Sequence, residues 1–160
     1  MPHVVLIGDS IFDNAVYTRG GPDVVSQVRS LLPRGWEATL LAVDGSTTDQ
    51  VVGQLGRLPS AATHLVLSVG GNNALQHLGI LKAPSKSIAK SVEVLADIAS
   101  DFEKRYRTVI AACLETARPL AVCTIYNGYF DDRSFQRIAS ATLTLFNDAI
   151  IRVAMSISFL

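Results

Sequence analysis

Four short apolar runs recur along this chain, and each ends in a cluster of small or polar residues. Val4-Val5-Leu6-Ile7 leads into Gly8-Asp9-Ser10, and Ala38-Thr39-Leu40-Leu41-Ala42-Val43 into Asp44-Gly45-Ser46. Leu65-Val66-Leu67-Ser68-Val69 leads into Gly70-Gly71-Asn72-Asn73, and Leu120 to Ile125 into Tyr126-Asn127-Gly128. Apolar runs this short, bounded by turn residues, read as strands buried on both faces. Between them, apolar residues return at helical spacing. Val24, Val25, Val28, Leu31 and Leu32 follow Pro22, which fits a first helical position. Val51, Val52, Leu55 and Leu58 follow Thr47 and Gln50, a capping-box pair. Ile88, Val92, Leu95, Phe102, Tyr106, Val109 and Cys113 follow Ser87, a capping residue. Ile138, Thr142, Leu145, Ala149 and Val153 mark a last helix from about Ser134. The stretch from Asn73 to Pro84 reads as a loose connection. Strands that alternate with helices throughout predict a parallel sheet with helices on both faces.

That topology has a chemical consequence. Parallel strands end on one rim, which is where ligands bind in such sheets. Ser10, Gly45 and Asn72 are therefore expected around one pocket. Ser10 brings a hydroxyl, although serine at a strand-to-helix turn also serves as a simple cap. Gly45 brings a backbone N–H that a ligand approaches closely, because no side chain is in the way. Asn72 brings an amide donor. A hydroxyl facing fixed donors suits acyl transfer, with a nucleophile and donors for the developing oxyanion.

Bulk properties remove other classes. A length of 160 residues fits one domain with a real core. With 49% apolar and 18% charged residues, the chain is not of the disordered type. Fourteen basic and fourteen acidic side chains cancel, so no basic face for nucleic acid is expected. No apolar run approaches the ~18 residues of a membrane helix. Met1-Pro2-His3 offers no cationic region before the first run, so no secretory signal is read, and a cytoplasmic location is the default expectation. Cys113 and Cys123 lack metal-ligand spacing and read as reduced core residues. No metal or cofactor is expected. A flavin or nucleotide site is poorly supported, since no glycine-rich phosphate loop occurs.

Gly8-Asp9-Ser10, Gly45 within Val43-Asp44-Gly45-Ser46, and Gly70-Gly71-Asn72 resemble, in order and spacing, three blocks of the SGNH hydrolases of the GDSL esterase/lipase superfamily. Asn73 stands where the third block of that family has aspartate. The resemblance covers nearly the whole chain. It implies a three-layer α/β/α sandwich around a parallel, flavodoxin-like sheet of five strands, of which four are read here. It implies Ser10 as nucleophile, and an oxyanion hole made by the N–H of Ser10, the N–H of Gly45 and the side chain of Asn72. The substrate would be a small-molecule ester, with no cofactor.

The family's Asp-x-x-His block is not found. The chain accordingly reads as a C-terminally shortened hydrolase, with that block and the fifth strand expected beyond Leu160. The tail from Met155 to Leu160 reads as a residual edge strand or an unrelated ending. His3 and His64 precede strands and belong to the opposite rim. His77 is on the correct side and is the candidate base. Asp13, Asn14, Asn73, Tyr126 and Asn127, with Asp131 and Asp132, are candidates for lining a substrate pocket, and Tyr17 and Phe130 for its apolar walls. Asp9 reads as a turn-forming residue. The expected function is ester hydrolysis weakened by the missing base. The competing reading is a non-catalytic remnant that keeps a small-ligand pocket.

Overall fold

In the computed structural model, which describes residues 1–157, each of the four apolar runs contains a strand. These are β1 (His3–Gly8), β2 (Glu37–Leu40), β3 (His64–Ser68) and β4 (Leu120–Val122). All pairings are parallel and the order is β2-β1-β3-β4. This is the expected flavodoxin-like arrangement. β1 is central and buried along its whole length. Its side chains alternate between faces, so Val5 and Ile7 join one core cluster while Val4 and Leu6 join the other.

The two faces are covered unequally. Helix α1 (Val24–Leu31) supplies Val24, Val25 and Val28 to the cluster around Val4 and Leu6. The other face carries α2 (Thr48–Leu55), α4 (Ile88–Glu115) and α5 (Arg133–Ile157), whose Val51, Phe102, Tyr106, Phe146 and Ile150 pack with Leu65 and Leu67 of β3. A short helix α3 (Gly71–Gln76) and a 3-10 segment (Leu78–Lys82) occupy the stretch expected to be loose. Glycine and asparagine are poor helix formers. Here the tertiary setting at Gly70 and Gly71 overrides propensity.

Strand ends differ from the apolar runs for visible reasons. β2 stops at Leu40 because Leu41 N–H and Ala42 N–H both donate to Leu6 O, at 2.8 and 3.0 Å, which breaks the regular ladder. β4 stops at Val122, and Ile125 is then held by a side chain of α5. Asp23, not Pro22, opens α1, since its carboxylate accepts Ser26 N–H at 2.9 Å. The Thr47–Gln50 capping box and the Ser87 cap are as expected.

Two expectations need correction. Leu31, Ile88 and Val92 are exposed although they fall on apolar helical faces. Met155 to Ile157 continue α5 and form no edge strand, and Ser158 to Leu160 lie outside the described residues. α5 is also long and apolar enough, by length and composition alone, to cross a membrane. Its Phe146, Ala149, Ile150 and Val153 are buried in the core, so here it acts as a core helix.

Helix length shapes the upper rim. α4 has 28 residues and α5 has 25. At 1.5 Å per residue they reach about 42 and 37 Å, against roughly 20 Å for the longest strand. α4 returns between parallel strands and therefore runs antiparallel to them. α5 follows β4 and runs alongside α4, with Arg152 and Glu103 bonded across the pair. The N-terminal halves of both helices thus stand above the strand ends beside Ser10. This is why Ile88 and Val92 have no sheet beneath them.

Candidate active site

Ser10 is positioned by three constraints on the end of β1. Gly8 has φ +129°, and a Cβ there would lie 1.8 Å from Ser68 O, so glycine alone fits. Asp9 N–H donates to Ser68 O at 3.0 Å. The Asp9 carboxylate accepts Ile11 N–H at 3.1 Å, while Phe12 N–H and Asp13 N–H close on Asp9 O. The result is an Asx-type turn with Ser10 at its apex. Burial pushes the Asp9 carboxyl above the ordinary carboxylate value, against the N–H groups of Ile11, Gly70 and Gly71 that hold it down. Asp9 therefore ties the turn after β1 to the turn after β3, the structural part expected of it.

A side chain missed by sequence reasoning completes the support. Gln54 of α2 is buried, accepts Gly8 N–H at 2.8 Å and donates to Gly8 O at 2.8 Å. Its only sequence signal is a polar residue three positions after Val51, inside an apolar helical face. Asn147 of α5 does the same for β4. It accepts Ile125 N–H at 2.7 Å and donates to Ile125 O at 2.9 Å. Two carboxamides thus stand in for strand backbone where the ladder ends.

Ser10 and Asn72 line one small pocket with Asp9, Val69, Leu75 and Tyr126. Asn72 Nδ2 donates to Ser46 O at 2.9 Å, which fixes the amide against the loop after β2. Its second N–H remains for a ligand. Among the described residues, the N–H groups of Ser10 and Gly45 donate to no protein acceptor. Gly45 has φ +79° and sits immediately before Ser46, but it does not line this pocket. Of the expected trio, two residues share the cavity, and the third is its neighbour through the Asn72–Ser46 bond.

Several other candidates lie elsewhere. Asn73 is buried, accepts Thr48 N–H and donates to Thr48 Oγ1, both at 3.1 Å. It anchors the start of α2 and is not a pocket residue. Asp13 accepts Asp44 N–H at 2.9 Å, Asn14 accepts Val24 N–H at 2.9 Å, and Tyr17 donates to Asp44 at 2.7 Å. These three brace the loops after β1 and β2, because that loop pair supplies backbone and side-chain partners the pocket does not. Asp132 caps α5 through Ser134 N–H and Phe135 N–H, and Asp131 is exposed and lines neither cavity. His3 and His64 begin β1 and β3, at the far ends of the strands from Ser10.

A larger apolar cleft of about 800 Å³, open mouth included, adjoins the Ser10 pocket. The two share Gly71, Leu75, Ile125 and Tyr126. His77, Asn127 and Phe130 line this second cleft and not the first. Among the described residues no histidine lines the Ser10 pocket.

The family profile of the GDSL-like lipases and acylhydrolases matches residues 6–159. The chain belongs to that family. No curated protein matches it in sequence. The fold is similar to that of an extracellular lipase from Streptomyces rimosus, with a TM-score of 0.67 and 15% identity, covering 98% of this chain and 77% of the lipase. It is similar to a phospholipase A1 from Streptomyces albidoflavus, with a TM-score of 0.63 and 19% identity over 97% of this chain and 75% of that one. It is also similar to an acetyl xylan esterase from Geobacillus stearothermophilus, with a TM-score of 0.60 and 15% identity over 95% and 73% of the two chains. Membership in this family of hydrolases gives the chain the class of an ester-cleaving enzyme, and the four-stranded parallel sheet agrees with it.

Proposed function

We propose that this GDSL-family chain hydrolyses carboxylic esters through an acyl-Ser10 intermediate. The observation that carries the reading is the shared pocket of Ser10 and Asn72, with the serine held at the apex of a rigid turn and an amide N–H left for a ligand. The ester carbonyl sits between them. As Oγ attacks, negative charge grows on the carbonyl oxygen, and Asn72 Nδ2–H and the N–H of Ser10 stabilise it, with Gly45 N–H beside the loop that Asn72 grips. The adduct then expels the alcohol to leave acyl-Ser10, and water attacks that ester to release the acid and the serine. Fixed donors need no reorganisation at that moment.

Proton removal is the weak step. A serine hydroxyl is a poor nucleophile without a base at hydrogen-bond distance, and none of the histidines lines the pocket. Slow turnover that depends on Ser10, far below that of a complete triad, is expected of this chain.

The test is hydrolysis of p-nitrophenyl acetate by the chain, by Ser10→Ala and by His77→Ala. Ser10→Ala should fall to the buffer rate, and His77→Ala should leave the slow rate unchanged. Turnover that persists in Ser10→Ala overturns the reading. Fast turnover lost in His77→Ala would make His77 the base. Buffer-level rates in all three proteins would support the competing reading, a pocket that binds small ligands without turnover, which the absence of a histidine from the Ser10 pocket favours.

A further inference from the structure

The apolar cleft beside the Ser10 pocket has no part in attacking an ester, yet it is the larger cavity of the two. We propose that it receives the acyl chain, so that the substrates are esters of medium-chain fatty acids and not acetyl esters. The proposal rests on the Ser10 reading and extends it to the substrate.

Continuity is the first argument. Gly71, Leu75, Ile125 and Tyr126 belong to both cavities, so a carbonyl carbon at Ser10 has a hydrocarbon path leading away from it. Gly71 offers no side chain to close that path. Lining is the second argument. Beyond the shared residues the walls are Leu78 and Leu81 of the 3-10 segment, Leu95 and Ile98 of α4, and Ala139 and Leu143 of α5.

The polar groups of the cleft are the third argument. Gln136 is the most buried amide-bearing side chain there, and its amide is fully engaged. It accepts Phe130 N–H at 2.7 Å and donates to Gly128 O at 3.0 Å and Ser140 Oγ at 2.9 Å. His77, Tyr126 and Asn127 are exposed at the rim. A sugar or a nucleotide needs converging donors and acceptors inside its pocket, and this cleft keeps its own satisfied. Hydrocarbon needs none. Lys82 Nζ lies 4.8 Å from the ring centre of Phe135, which itself packs edge-on to Phe130 at 5.1 Å. This joins the 3-10 segment to the start of α5.

The experiment measures kcat/KM for p-nitrophenyl acetate, butyrate, octanoate and decanoate with the chain and with Ala139→Trp, and decanoate binding to Ser10→Ala by calorimetry. Each buried methylene should raise kcat/KM about fourfold until the cleft is full. Ala139→Trp should erase that rise, bringing kcat/KM for octanoate and decanoate down to the acetate value. Leu81→Gln, on the 3-10 segment, should flatten the series in the same direction should Ala139→Trp fail to fold. Ser10-dependent turnover that is flat or falls with chain length overturns this proposal and spares the Ser10 reading. With no ester turned over, decanoate binding that Ala139→Trp or Leu81→Gln abolishes supports the cleft as a hydrocarbon site while the Ser10 reading falls. Absence of both turnover and binding overturns the two together.

Discussion

Tyr106 is fully buried between α4 and the sheet, and its hydroxyl finds no hydrogen-bond partner among the described residues. Burial pushes that hydroxyl well above its ordinary pKa, with Cys113 and Cys123 nearby adding to the effect. A buried donor without an acceptor costs about 1–3 kcal/mol. Tyr106→Phe should therefore raise stability by about 1 kcal/mol, seen as a higher urea midpoint at unchanged slope. A lower midpoint would mean the hydroxyl has a partner in solution. Gly8 behaves oppositely. Gly8→Ala combines a positive φ with a collision against Ser68 O, and should cost about 3 kcal/mol or more, or prevent folding. A stability within 1 kcal/mol of the parent, by the same ~25 °C urea titration, would contradict that geometry. Of the residues lining the candidate pocket, Ser10 and Asn72 could be singled out in the sequence because each lies within four residues of the end of a strand. Gln54 and Asn147 were not. Their bonding partners lie 46 and 22 residues away, and nothing local distinguishes a clamping amide from a solvated one.

At the scale of elements, α4 and α5 are joined by charge as well as by packing. Glu103 accepts from Arg107 on its own helix and from Arg152 of α5, both at 2.7 Å. These arginines hold the Glu103 carboxyl below its ordinary pKa. A carboxyl lowered in the folded state adds stability above its unfolded pKa and gives it up as pH falls through the folded value. Glu103→Gln should then cost about 0.5–1 kcal/mol at neutral pH. The cost should disappear on the acid side of the ordinary glutamate range and shrink at high salt. An equal cost at pH 3 and pH 7 would argue against the charge. The strands, helices and parallel order were readable because apolar runs and helical periods report burial directly. Strand lengths were not, since Leu6 O captures two N–H groups and ends β2 early, a tertiary event. α3 was missed for a related reason. Its glycine and asparagine residues argue against helix until Phe102 and Ile125 close around Gly70.

Across the whole molecule, unequal helical cover separates the two cysteines. Cys113 is fully buried on the face carrying α2, α4 and α5, and its thiol is pushed up to about 11. Cys123 is half-buried on the face that α1 covers, beyond β4. Thiol reagents act on the thiolate and need access. Iodoacetamide should therefore label Cys123 in the native protein, as mass spectrometry would show, and reach Cys113 only at the rate of global unfolding. Native labelling of Cys113 ahead of Cys123 would contradict this packing.

The turn that carries Ser10 has a further consequence for synthesis. Its geometry is written by Gln54 and Ser68, both far downstream of the residue they position. A nascent chain, or any fragment ending before Ser68, holds the serine without the arrangement that orients it. Pairing across such separations waits on the closure of long loops, which slows folding. The turn is thus ordered only after β3 and α2 have docked, and the pocket at the rim takes shape late in the life of each new molecule.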